Sequence, residues 1–130
     1  MTHSPIDYSA ASHEVQAVYD DIKATRGVDD VNLFWKYLAH HPELLRHTFE
    51  RLKGVMAPGA LDSPTKEMLY LAVSIAHGCD YCIASHTAAA RQKGMSAAME
   101  GELLAVVAMA SQTNRLATAL RVPVDPGLQP

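Results

Sequence analysis

The chain has 130 residues, a formal net charge of −3 and no cluster of basic residues, which excludes the electrostatic footprint of a nucleic-acid binder. Charged residues at 19% and hydrophobic ones at 48% mark an ordinary globular chain, and the length predicts one domain over residues 1–130. No apolar run approaches the roughly 20 residues needed to span a bilayer, so no membrane role is expected.

The N-terminus, Met-Thr-His-Ser-Pro, lacks the charged and apolar regions of a signal peptide, and a cytoplasmic location is expected. Val15, Val18, Tyr19 and Ile22 then recur at helical spacing, and Gly27 offers a stop. Val31, Leu33, Phe34, Tyr37 and Leu38 predict a short second helix, closed before Pro42 because that ring disfavours helical geometry at His41. Pro42 suits the first turn of a third helix carrying Leu44, Leu45, Phe49, Leu52 and Met56. Pro58 and Gly59 make residues 57–62 a loop. Ser63 is placed as the N-cap of a helix that opens on Pro64 and runs to about His77, with Gly78 closing it. A helix bearing both cysteines follows almost at once and ends near Gly94. Ser96 is expected to cap a helix over 97–110, and residues 112–122 a last one. The tail from Pro123 is interrupted by proline and reads as irregular. No alternation would sustain a sheet. The class is all-α, with about six to seven helices and the cysteine pair at the N-terminus of one of them.

The chemistry concentrates in Cys79-Asp80-Tyr81-Cys82-Ile83-Ala84-Ser85-His86, with Glu67 twelve residues before the first cysteine. On a helix, 100° per residue puts Cys82 about 60° from Cys79 and His86 about 20° from it, so two thiols and an imidazole share one stripe. Cysteines three apart on a helix also lie near the Cα separation of roughly 4.4–6.8 Å that a disulfide needs. A free thiol has a pKa of about 8.5, so reactivity at neutral pH requires help in forming thiolate. Cys79 sits at the first turn, where free amides and the helix dipole favour an anion. Cys82 lies one turn before His86, which can take or return its proton. Glu67, on the preceding helix, could reach the same pocket across the Gly78 break and hold the histidine tautomer or relay its proton.

Zinc competes for the same residues. His77, Cys79, Cys82 and His86 would supply four nitrogen and sulfur ligands for a tetrahedral site. Against it, three of them fall within two turns of one helix, whereas structural sites draw ligands from separate elements. Buried structural cysteines and a hydrogen-bonded structural histidine are the bland alternative.

Glu67, eleven residues, then Cys79-x-x-Cys82-x-x-x-His86 is similar to the core motif of the AhpD-like alkylhydroperoxidase family, within the carboxymuconolactone decarboxylase superfamily. The resemblance extends upstream through Val31-Asn32-Leu33-Phe34 and Ala39-His40-His41-Pro42-Glu43-Leu44. Downstream it reaches Asn114-Arg115-Leu116-Ala117-Thr118-Ala119-Leu120, so it covers nearly the whole chain. It implies an all-α fold in which the cysteine helix packs beside the glutamate helix. It also implies thiol peroxidase chemistry on organic hydroperoxides, with no haem, metal or other cofactor. By analogy Cys82 attacks the peroxide, Cys79 resolves the sulfenic acid as a disulfide, and Glu67 with His86 forms the proton relay. An external dithiol, in some relatives a lipoyl-bearing protein, would reduce the disulfide, and relatives of this size assemble as homo-oligomers, often hexamers.

One departure stands out. The family's histidine immediately before the second cysteine is here Tyr81, and a phenol with a pKa of about 10 does not shuttle protons at neutral pH. Asn32 and Trp35 are further candidates for the pocket edge, with core packing or subunit contact as their alternative. Two other functions compete with the peroxidase. One is a lactone decarboxylase, which needs no dithiol; the other is a redox-sensing or interaction module whose disulfide state changes assembly.

Overall fold

The computed structural model describes residues 3–129, and among these the only regular structure is helical. Six α-helices follow in order: α1 His13–Arg26, α2 Leu33–Leu38, α3 Pro42–Met56, α4 Ser63–His77, α5 Asp80–Gln92 and α6 Ala97–Ala119. The all-α expectation and the helix number are thereby met. Contacts divide the chain into two compact units, one ending at Ala57 and the other beginning at Pro58.

The first unit packs α1, α2 and α3. Ser12 caps α1 by accepting the amide of Val15, and Gly27 ends it at φ +64°, a left-handed conformation that costs glycine nothing. The apolar stripe of α1, Val15, Val18, Tyr19 and Ile22, is buried against Val31, Trp35, Ala39, Leu45 and Phe49. Trp35 and Phe49 meet edge to face with ring centroids 5.4 Å apart, a favoured aromatic geometry. Asn32 occupies the N-cap position of α2, so Val31 precedes this helix while remaining in the core. Around this core the segment before α1 is tied down by polar contacts. Tyr19 donates its hydroxyl to the carbonyl of Ile6 at 2.8 Å, and Lys36 reaches Asp30 at 2.6 Å and Asp7 at 2.8 Å. Lys36 is almost fully buried, and the Asp30 and Asp7 carboxylates hold its ammonium above the ordinary lysine range.

The second unit is an antiparallel α4–α5 hairpin with α6 packed on α4. Asp62, and not Ser63, caps α4: its carboxylate accepts the amide of Thr65 at 2.9 Å, and Ser63 is already helical. The aspartate prevails because an ionised acceptor binds that amide more strongly than a hydroxyl. Gly78, at φ +67°, reverses the chain. Its amide bonds the carbonyl of Ile75, and the amide of Cys79 bonds that of Ser74, the paired pattern that satisfies the last carbonyls of a helix. The same device closes α5. Gly94, at φ +106°, bonds Arg91, and Met95 bonds Ala90 at 2.9 Å. Leu71, Ala90 and Met95 form the small buried cluster of this unit, flanked by Met68, Ile75, Ile83 and Leu103.

One expected boundary is absent. Residues 97–119 form a single continuous helix, not one helix to 110 and another from 112. Ser111-Gln112-Thr113-Asn114 is polar but contains neither glycine nor proline. Thr113 and Thr118 fold their hydroxyls back onto carbonyls one turn earlier, so the polar stretch stays within the helical ladder. None of the residues of α6 is buried; Val106, Met109 and Leu116, and Leu120 just past its end, are all more than half exposed. No helix among the described residues is long and apolar enough to cross a membrane.

Candidate functional site

The turn at Gly78 gives Cys79 two tasks. It ends the capping motif of α4 and is itself the N-cap of α5, so the dithiol starts where the chain reverses. Cys79 Sγ accepts the amide of Cys82 at 3.3 Å, as an oxygen would at an ordinary N-cap. The sulfurs of Cys79 and Cys82 are joined as a disulfide, with their Cα atoms 5.3 Å apart. Both residues are partly buried.

One turn beyond Cys82, on the same face of α5, His86 meets Glu67 of α4. His86 Nδ1 lies 2.8 Å from Glu67 Oε2. The other carboxylate oxygen, Oε1, accepts from Lys93 Nζ at 2.7 Å. Glu67 is only 6% exposed, and a carboxylate this buried is stable only when its oxygens are matched to donors. Burial pushes its pKa up, but the hydrogen bonds from His86 and Lys93, with their charges, prevail and hold it below the ordinary value. An ionised carboxylate only accepts, so the proton of the shared hydrogen bond sits on His86 Nδ1. Proton exchange with any other group then falls to Nε2. Tyr70, one turn after Glu67 on α4, stacks on the imidazole with centroids 3.7 Å apart and planes at 20°. The ring is thus fixed in position by the carboxylate and in plane by the phenol.

The structure brings Glu67, Cys79, Cys82 and His86 together on one helical hairpin. Tyr81 is on the first turn of α5 and is 43% exposed. Asn32 and Trp35 belong to the first unit, where Trp35 is 2% exposed in the core and Asn32 stands at the start of α2 without a side-chain capping bond. His77, a ligand in the zinc alternative, places Nδ1 3.0 Å from the carbonyl of Val73 in its own helix. Among the described residues no group of three or more His, Cys, Asp or Glu side chains is arranged to hold a metal ion.

Two members of the site were not singled out from the sequence. Lys93 is seven residues after His86, two turns on, and so shares the stripe of Cys79 and His86; that spacing was a usable signal. Tyr70, three residues after Glu67, shares its face of α4 in the same way.

The comparisons with known proteins cover this hairpin within longer matches. A model of the carboxymuconolactone decarboxylase family matches residues 42–125. The chain is 31% identical over 100 residues to a protein named alkyl hydroperoxide reductase AhpD from Solibacter usitatus (strain Ellin6076), an alignment covering 77% of this chain and 55% of that one. The chain therefore spans about half the length of this curated relative. Among solved structures it resembles the alkylhydroperoxidase AhpD core from Rhodospirillum rubrum, with 56% sequence identity and a TM-score of 0.85. That match covers 88% of this chain and 85% of the other.

Proposed function

The chain belongs to the carboxymuconolactone decarboxylase family as an AhpD-like member, and on that premise we propose that it is a thiol-dependent alkylhydroperoxide reductase. The observation that carries this reading is the 2.8 Å bond between Glu67 and His86, one helical turn from the Cys79–Cys82 pair. In the reduced protein, His86 Nε2 takes the Cys82 proton. The thiolate attacks the terminal oxygen of an organic hydroperoxide; the S–O bond forms as the O–O bond breaks. The departing alkoxide takes the proton from His86 and leaves as alcohol. Cys79, favoured as thiolate by the amides at the start of α5, releases its proton and attacks the Cys82 sulfenic acid; the S–S bond forms as the S–O bond breaks, and the hydroxide takes up that proton and leaves as water. The resulting disulfide is reduced by an external dithiol, a role suited to a lipoyl-bearing protein. No metal or other cofactor enters the cycle.

Two activations thus serve two steps, histidine for Cys82 and helix terminus for Cys79. Tyr81 borders the dithiol as a hydrogen-bonding group, not a second proton carrier. A reducing, cytoplasmic compartment suits the cycle. The exposed apolar residues of α6 support burial against further copies, with a hexamer as the expected assembly.

The test is a thiol count on reduced protein after one equivalent of cumene hydroperoxide. Loss of both thiols within seconds, restored by a dithiol, is the expected result. Persistence of both would overturn the peroxidase reading and promote lactone decarboxylation, the chemistry for which the matching family is named. Under excess peroxide, C79S should accumulate a sulfenic acid promptly and C82S should not; the reverse would exchange the roles of the cysteines.

A further inference from the structure

Glu67 is shared between two cations, and only one of them belongs to the thiol relay. His86 approaches Oε2 from the middle of α5, while Lys93 approaches Oε1 from the turn that ends it. Side chains on a helix lean toward its N-terminus, which lets Lys93 reach back to the level of a residue two turns earlier. Its backbone is fixed for that task, because Gly94 and Met95 close the helix immediately behind it and Met95 is buried. The Lys93 side chain keeps 36% of its surface in solvent and that of Glu67 only 7%, so the lysine supplies charge to a buried anion without being fully desolvated.

We propose that Lys93 is a positioning residue of the relay: by binding Oε1 it keeps the buried Glu67 ionised, which fixes the Nδ1–H tautomer of His86 and turns Nε2 toward proton exchange with Cys82. This rests on the peroxidase reading for its consequence, though not for its geometry. Among the described residues the charged groups acting on Glu67 are His86 and Lys93, both from the α5 side. From α6, Glu100 is engaged by Arg91 at 2.9 Å. Without Lys93, burial acts on a carboxylate with one partner, and Glu67 takes up a proton at higher pH. A protonated Glu67 no longer demands the proton on Nδ1, and the tautomer is released.

The experiment follows the His86 ring nitrogens and the Glu67 carboxyl carbon by NMR against pH in reduced wild-type, K93M and K93R protein, without peroxide. Wild type should show Nδ1 protonated over the neutral range and Glu67 titrating below the usual carboxylate range. K93M should raise the Glu67 midpoint by about 1 to 3 pH units and mix the His86 tautomers, while K93R should restore the wild-type pattern. The peroxide-driven loss of thiols should show its acid limb moved upward in K93M by a similar amount, so that the rate on that limb falls about tenfold or more. A Glu67 midpoint and a His86 tautomer unchanged in K93M, or changed equally in K93R, overturn the proposal. Should K93M not fold, a wild-type Glu67 that titrates at or above the ordinary value overturns it alone. Because the titrations need no turnover, failure of the peroxidase reading in the thiol count leaves this result separately legible.

Discussion

The two units each hold a trio of charges, and the trios are mirror images. In the first, one buried cation, Lys36, is clamped by two exposed carboxylates, Asp7 and Asp30. In the second, one buried anion, Glu67, is clamped by His86 and by a half-solvated Lys93. Lys36 has no group whose protonation changes near neutrality, so its trio can only anchor: it fastens the segment before α1 to a core of nine apolar residues. The Glu67 trio includes an imidazole, the side chain that changes charge in the physiological range. It stands beside the Cys79–Cys82 disulfide in a unit whose buried apolar cluster has three members among the described residues. One region is built around packing, and the other pairs a buried anion with an imidazole.

The sharpest way to break this comparison is to neutralise each trio by a carboxylate-to-amide change. Glu67→Gln keeps the shape but cannot fix the His86 tautomer, and stopped-flow thiol oxidation should slow about 10²- to 10⁴-fold, the usual worth of a proton relay. Asp30→Asn should leave that rate within twofold of wild type. Equal effects would abolish the distinction between anchor and relay.

Next come the cores. Leu45, fully buried with eight other core residues, should cost about 2–5 kcal/mol when replaced by alanine. Leu71→Ala should fall at the low end of that range, because the partly buried side chains around it can settle into the space. Urea midpoints of the two variants decide the order.

The caps separate the units more finely. Ser12→Ala and Ser96→Ala should each cost about 1 kcal/mol. The Ser12 loss should appear in global unfolding, since α1 is locked into its core. The Ser96 loss should appear as faster amide exchange confined to the first turns of α6, a helix without a buried residue.

The smallest effect concerns acid stability. Lys36, chiefly, and the amide of Val31 hold Asp30 below the usual carboxylate value. Its contribution is therefore complete above the unfolded value of about 4 and disappears as pH falls through the lower folded one. Lys36→Met should make the urea midpoint less dependent on pH below about 4, without moving the midpoint's pH dependence near neutrality.

Much of this architecture was readable in the residues. The i, i+3, i+4 stripe of α1, the prolines opening α3 and α4, and the glycines at 27 and 78 each act through the local backbone, and the helices they predict formed where expected. The alignment of Cys82 with His86 was equally legible, because helical geometry sets them one turn apart, while Cys79 stands just outside the helix as its N-cap. What escaped depends on partners. Lys93 looks like a surface charge until Glu67 comes across from α4, and nothing local distinguishes it from Lys53, which pairs with an exposed aspartate. Tyr70 gains its role only from the ring stacked on it. The expected break between 110 and 112 is absent because the run 111–114 holds no glycine or proline to interrupt the hydrogen-bond ladder.

The corner at Gly78 has a mechanical consequence. Its two closing bonds, Gly78 to Ile75 and Cys79 to Ser74, run from main chain to main chain and include neither sulfur. Cleaving the disulfide removes a covalent strut but not the hinge pin, and the Cα spacing of 5.3 Å already lies within the span a disulfide bridges. In the proposed cycle, reduction would therefore leave both main-chain bonds of the corner in place.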